Sequence, residues 1–380
     1  MKKNKLLLIA MFCIFANNLI SQEKQPPAKH KKTRISQTKH PQKPQRYFFG
    51  AILLPKGSLN IIPKVTVADI VPMATVNAVA AVPFVVKAPP VGNQMHMGSC
   101  VAWAVGYTFF SSYLQRNMPT TWSESNEISP SYIYNLLKAK NGDCINTGLT
   151  VPAVLDMLAN IGACYIKSMP YVDSDCNSQP TLQDFAEADQ FRSPYGRPDA
   201  FKDFLFHPLG RDPGWFNSEI SFSLPSIPNP FPLPAPLQPG GPLNPVDPTH
   251  PGTPPWPINL LNPQVQLWKQ IDANDVDLLK GSLVTFHWPV IVTLQVSQGF
   301  LDMWRKGHGI WTKDYQPNCS ECGPHCVCII GFDEARKMFK CQNQWGTAEG
   351  DHGYFWVSYD LVRNNCFQEA YMWVRDEHAH

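Results

Sequence analysis

The stretch Asn93 to Cys100, NQMHMGSC, ends on a cysteine at the point where the apolar run VAWAVGYTFF begins. A thiol in the first turn of a helix faces unpaired backbone N–H groups, whose partial positive charge favours the thiolate. Gly98 removes a side chain just before it, so a ligand or a second backbone can come close. Cys100 is therefore a candidate nucleophile, with a buried structural cysteine as the alternative from this stretch alone. A thiolate needs a partner that takes and returns a proton, and histidine titrates in the right range. The segment GPHCVCIIGFDEARKMFKCQNQWG singles out one of the eleven histidines. With CVCIIGF and MFKCQNQ as antiparallel strands turning between Asp333 and Arg336, the hairpin centre falls near residue 334, midway between His325 and Asn343. Cross-strand neighbours have Cβ atoms about 5 Å apart. The Asn343 amide is then expected to donate to the imidazole and orient it without adding a competing charge.

These residues must be carried by elements. Residues 100–116 and 151–161 have helical spacing, and Asn117-Met118-Pro119 stops the first. Residues 289–296, 326–332, 338–344 and 353–359 read as strands. Helices precede and strands follow, which predicts an α+β architecture with an α-rich N-terminal half and an antiparallel β-rich C-terminal half. Between the halves, Leu224 to Pro263 has a proline about every third residue. Such a segment forms neither helix nor interior strand and reads as a stiff insertion, with a docking role for its xPxxP pieces as the alternative.

Taken together, the residues resemble the papain-like cysteine peptidases. The resemblance rests on Gln94 with Gly98-Ser99-Cys100, Ala102 and Ala104 in the following helix, His325 opening CVCIIGFD, and Asn343-Gln344-Trp345-Gly346 leading to Gly350-Asp351-His352-Gly353-Tyr354-Phe355. Ile128-Ser129-Pro130 with Tyr132, Cys144 with Gly148, Met169-Pro170-Tyr171 and Pro289-Val290-Ile291-Val292 extend it. It covers roughly residues 88–176 and 266–375. It implies a two-domain fold with the active-site cleft between the halves. Cys100 would be the nucleophile, His325 the general acid and base, Asn343 its orienting partner, and Gln94 a side-chain donor to the oxyanion beside the Cys100 backbone N–H. Such donors, aimed where negative charge develops, are each worth about 3 kcal/mol of barrier. Trp345 would shield the His325–Asn343 hydrogen bond from water, and Thr293 and Cys326 would lie near the pocket that reads the residue two before the cut. The substrate class would be peptide or protein, with no cofactor.

The departures are specific. Val101 follows the nucleophile where the family commonly has tryptophan, and Met97 stands where it commonly has cysteine, so Cys144 would turn to Cys176 or Cys164. The family's distal bridge would fall to Cys366 with Cys319 or Cys322. Pro324 supplies no acidic side chain before His325, and residues 47–90 show no helical pro-segment of the usual kind. Cys319, Cys322, Cys326 and Cys328 also invite a zinc reading, since C-x-x-C opens the cluster. Cys326 and Cys328 should share one strand face, whereas a structural zinc site takes its second pair from a separate turn.

The first 22 residues carry three lysines ahead of the apolar run Leu6 to Ala16, which reads as a secretory signal peptide cut near Ser21 or Gln22. The expected destination is secreted, periplasmic or cell-surface, with no membrane span after signal removal and disulfides among the remaining cysteines. Residues 23–46 read as a disordered basic arm, 47–87 as a pro-segment or packed lead-in, 88–196 as the α-rich half, 197–265 as the Pro-rich insertion and 266–380 as the β-rich half. A formal net charge of +2 offers no case for a nucleic-acid partner. The expected function is an exported cysteine peptidase. The rivals are an aminopeptidase or acyl transferase using the same residues, and a catalytically silent binding or adhesion protein on the same scaffold.

Overall fold

A computed structural model of the chain describes residues 47–55, 57–118, 121–138, 142–192, 267–306 and 308–374. The expected signal peptide (1–22), the basic arm (23–46) and the whole Pro-rich insertion (197–265) lie outside the described residues. Among those described, no helix is long and apolar enough to cross a membrane.

The lead-in from Tyr47 contains a short helix, α1 (Met73–Val79), and a two-residue strand, β1 (Phe84–Val85). Its apolar residues Leu54, Ile62, Val65, Val76 and Val86 are buried; Val65 N–H donates to Gln270 O at 2.8 Å and Gln270 N–H to Pro63 O at 2.9 Å. The helix that starts at Cys100 continues as α2 (Ala102–Phe110) and α3 (Ser111–Leu114). All nine residues of α2 are buried and wound in the wider i→i+5 geometry, an uncommon form that recurs at functional sites. Two further helices, α4 (Pro130–Leu137) and α5 (Val151–Asn160), each place Pro in the first turn behind a capping hydroxyl, Ser129 and Thr150 respectively. The capping box Thr181–Asp184 starts α6 (Leu182–Asp189).

The second half supplies β2 (Trp268–Ile271), α7 (Val276–Phe286), β3 (Val290–Val296), α8 (Gln298–Arg305), β4 (Ile310–Trp311), β5 (Gly323–Asp333), β6 (Met338–Gln342), β7 (Tyr354–Ser358), α9 (Tyr359–Arg363) and β8 (Phe367–Trp373). These build one sheet in the order β2-β8-β3-β5-β6-β7-β4, with β1 added to the far end of β5; every pairing is antiparallel except β4 with β7. The central strand β5 is buried along almost its whole length, which explains the unbroken apolar run CVCIIGF in place of strict alternation. Its helix-facing side meets α2 directly: the Cys328 thiol donates to the Ala104 carbonyl at 3.1 Å.

Two expectations are corrected by the fold. The hairpin pairs Asp333 with Met338 and Cys328 with Gln342, so Asn343 falls beyond the paired strand and is not the direct cross-strand partner of His325. The turn, closed by Lys337 at φ +56°, centres the hairpin between residues 335 and 336, and the register shift between Ile329 and Gly331 moves the pairing only partly back toward residue 334. The cysteines also pair differently from the family pattern. Cys144 joins Cys176, one of its two expected partners. Cys319, however, bonds to Cys322, and Cys366 remains a buried free thiol. Cα atoms 5.0 Å apart suit a disulfide, so the C-x-x-C pair closes on itself and neither sulfur is left for Cys366 or for a metal. Among the described residues no group of three or more His, Cys, Asp or Glu side chains could hold a metal ion.

Candidate active site

Three separate pieces of chain meet around Cys100. The loop before the helix is stitched to the segment after β6: Gly346 N–H donates to Gly92 O at 3.0 Å, Gln94 N–H donates to Gln344 O at 2.8 Å, and Asn93 bridges Trp345. This short ladder holds Gln94 beside Asn343 and was not legible in the sequence, where 250 residues separate the two segments. Gly98 is required by close packing. A Cβ there would lie 2.7 Å from each of the Ile145 and Thr147 carbonyl oxygens.

His325 is fully buried on β5, and its Nε2 lies 2.9 Å from Asn343 Oδ1. The same oxygen accepts from the Gln344 backbone N–H at 2.9 Å, which identifies it as the carbonyl end of the amide. The imidazole therefore donates and Asn343 accepts, the reverse of the expected polarity. With the proton on Nε2, Nδ1 keeps its lone pair, and it is buried without a hydrogen-bond partner among the described residues. Trp345 stacks on the imidazole with ring centroids 4.5 Å apart, and excludes water from one face of this hydrogen bond. Gln344 was not anticipated. Its side-chain N–H donates to Cys326 O at 2.8 Å and its nitrogen sits 3.3 Å from His325 Nε2, so it braces the strand next to the ring.

The Cys100 sulfur lies against backbone N–H groups of Cys326, Gly50, Val101 and its own residue. The contact with Cys326, the neighbour of His325, spans from the helix to β5. Thr293 and Cys326 face each other in the register of β3 and β5, and both are fully buried. Beside them Glu369, also paired with Thr293, is buried and accepts from the Leu54 backbone N–H at 2.7 Å. Burial raises the Glu369 carboxyl above its ordinary range. No sequence signal marked this glutamate.

The contact from Leu54 belongs to a longer one, for residues 47–54 run through the cleft. Tyr47 stacks on Trp345 at 4.2 Å, and Phe49 stands edge-on to both His325 and Trp345, at 6.0 and 5.9 Å. Gly50 fits so closely over Gly98 that a Cβ on it would come within 1.6 Å of the Gly98 carbonyl oxygen. Ala51 then bridges Leu149 in parallel, with Leu149 N–H donating to Gly50 O and Ile52 N–H to Leu149 O, both at 2.8 Å. The Gln94 side-chain N–H, expected to be an oxyanion donor, is taken up by Phe48 O at 3.0 Å and Met97 O at 2.8 Å.

This cover overturns the expected electrostatics. Desolvation outweighs the backbone N–H groups at Cys100 and pushes its thiol up to about 12, so the helix N-terminus does not produce a thiolate here. Desolvation also draws His325 down to about 4, against a smaller opposing effect from Asn343. At neutral pH both groups are uncharged.

Comparison with known proteins bears on the same region. Residues 261–374 match the model of the papain family cysteine proteases. An uncharacterized peptidase C1-like protein of Acanthamoeba polyphaga mimivirus is 30% identical over 104 residues, 27% of this chain; the chain spans about a third (32%) of that relative's length. Among solved structures, xylellain, a cysteine protease from Xylella fastidiosa, superposes with a TM-score of 0.52 at 16% identity, covering 86% of this chain and 96% of that one. Digestive procathepsin L2 proteinase from Tenebrio molitor gives a TM-score of 0.46 at 16% identity, covering 86% and 78%. The fold is papain-like. The family match takes in His325 and Asn343 but not Gln94 or Cys100, which lie outside residues 261–374.

Proposed function

We propose that this protein is an exported cysteine peptidase, held in the covered state described above until residues 47–54 leave the cleft. Cys100 attacks the scissile carbonyl once His325 Nδ1 has taken its proton. The oxyanion is received by the Gln94 side-chain N–H and the Cys100 backbone N–H. The carbonyl–sulfur tetrahedral adduct collapses to a thioester as the imidazolium returns its proton to the leaving amine. Water, deprotonated by the same imidazole, then hydrolyses the thioester. Asn343 keeps the ring in the tautomer that leaves Nδ1 basic.

The observation that carries this reading is the orientation of His325: one nitrogen is committed to Asn343, the other is buried and bare, and the backbone N–H of the adjacent Cys326 faces the Cys100 sulfur. A protein that served only as a binding scaffold has no need of a buried, unpartnered imidazole nitrogen, which costs stability. The covering segment itself is suited to block and not to react. It turns the Gly50 N–H toward the sulfur, where a substrate would present a carbonyl carbon.

The test is peptide hydrolysis by the wild-type protein and by Cys100→Ala after residues up to about 54 have been released by limited proteolysis. Turnover in the wild type and none in the variant is expected. Equal turnover in both would refute the assignment. Comparing peptides with blocked and free N-termini separates an endopeptidase from an aminopeptidase.

A further inference from the structure

One pocket of the cleft is built more elaborately than shielding of His325 requires. The Tyr47 side chain is buried in it, with its ring stacked on Trp345 at an interplanar angle of 18° and its hydroxyl donating to Glu349 Oε2. The Arg305 guanidinium lies 5.3 Å from the centre of that ring, within cation–π range. Arg305 is itself held by Glu321 at 2.5 Å, and Glu321 sits inside the ring closed by Cys319 and Cys322. Trp345 is fixed edge-on by Trp304 at 5.5 Å and Phe300 at 6.0 Å. The walls thus come from α8, from the loop before β5 and from the segment after β6. Arg305 and Trp345 are held by contacts of their own, independent of Tyr47.

The chemistry of the pocket matches a phenol. A flat indole takes the ring, a cation faces the ring's electron-rich surface, and a carboxylate accepts the hydroxyl proton. Phenylalanine fills the same volume but leaves Glu349 without its donor. A site organised around a hydroxyl rejects the analogue that lacks it more strongly than an apolar pocket rejects a missing methylene.

We propose that Trp345, Arg305 and Glu349 form a tyrosine-selective subsite at the His325 end of the cleft, and that Tyr47 fills it in cis to latch the covering segment over Cys100. The ligand class is a peptide carrying a tyrosine side chain. The proposal deepens the reading of the cleft as a peptide-binding site and rests on it, but its test requires no turnover.

The first arm measures how fast iodoacetamide alkylates Cys100 in the full-length protein, by peptide mass spectrometry. Tyr47→Phe and Glu349→Gln are each expected to speed labelling about tenfold, the usual weight of one hydrogen bond to a charged group. The second arm uses full-length Tyr47→Ala, in which the pocket loses its internal occupant, and follows tryptophan fluorescence on adding N-acetyl-tyrosinamide or N-acetyl-phenylalaninamide. The tyrosine compound is expected to bind about tenfold more tightly, and the difference to vanish when Glu349→Gln is added. Wild-type labelling rates in Tyr47→Phe and Glu349→Gln would overturn the latch. Equal binding of the two amides would overturn the selectivity. If Tyr47→Ala does not fold, the two conservative variants still decide the latch, and the same comparison of the two amides on wild-type protein nicked within residues 47–54 decides the selectivity.

Discussion

Phe49 stands edge-on to the imidazole of His325, with ring centroids 6.0 Å apart and planes at 85°. An aromatic ring from the lead-in thus forms one wall of the site that the lead-in covers. The consequence is electrostatic, because the same cover that excludes substrate also removes the water that would stabilise a thiolate or an imidazolium.

Exposure of Cys100 should therefore depend on pH on both sides of neutrality. Uncovering returns His325 from about 4 toward its ordinary 6.5, so the uncovered state binds more protons and release is favoured as pH falls from 6.5 toward 4. Uncovering also returns Cys100 from about 12 toward 9, so release is favoured again as pH rises above 9. Protease nicking within residues 47–54, followed by gel and mass spectrometry from pH 4 to 10, should show a minimum between about 6.5 and 9. Nicking that is flat across this range would contradict the linkage.

Gly50→Ala should open the site without altering Gln94, Cys100, His325 or Asn343. The added Cβ would sit 1.6 Å from the Gly98 carbonyl oxygen, so the segment must lift while the body of the fold is undisturbed. Alkylation of Cys100 is expected to accelerate at least tenfold at pH 8, with an unchanged thermal midpoint for the body. An unaltered labelling rate would mean that the segment does not control access.

Gln94→Ala and Asn343→Ala should separate two contributions in the released enzyme. Loss of the Gln94 donor is expected to lower kcat by about 10²–10³-fold with little change in KM. Loss of Asn343 removes the acceptor that holds Nε2–H and should cost about 10²-fold, together with a shifted pH profile. A Gln94→Ala enzyme with wild-type kcat would remove that residue from the oxyanion site.

The two disulfides should differ in weight. Cys144–Cys176 closes a separation of 32 residues, and the chain-entropy estimate for such a loop is about 3–4 kcal/mol. The Cys144→Ser/Cys176→Ser protein should melt several degrees lower. Cys319–Cys322 spans a separation of only 3, for which the same estimate is about 2 kcal/mol, so its removal should lower the melting midpoint by roughly half as much. Calorimetry on the two double variants compares them directly.

Much of the site was legible because its residue types are tied to local pattern. Cys100 marks the boundary between a Gly-containing loop and a buried helix, and His325 and Asn343 flank a recognisable hairpin. The hairpin argument nevertheless reached that pair through the wrong register. Asn343 reaches Nε2 from beyond the end of β6, because the turn between Asp333 and Met338 lies further along the chain than the sequence pattern placed it. Strands such as β2 and β8 were missed because burial on both faces and mixed composition erase the two-residue alternation by which a strand is read.

The amino-acid sequence by itself determined which groups were available: a thiol at a helix start, an imidazole and an amide flanking a hairpin, a Gly where two backbones touch. Tertiary structure alone decided which partners and what charge those groups acquire. The ladder joining residues 92–94 to 344–346, the polarity of the His325–Asn343 bond, Glu369 beneath Leu54 and the passage of residues 47–54 through the cleft all join parts distant in the chain. Desolvation depends on everything packed around a group and not on its neighbours in sequence, which is why a cysteine placed to be reactive is held here as a neutral thiol.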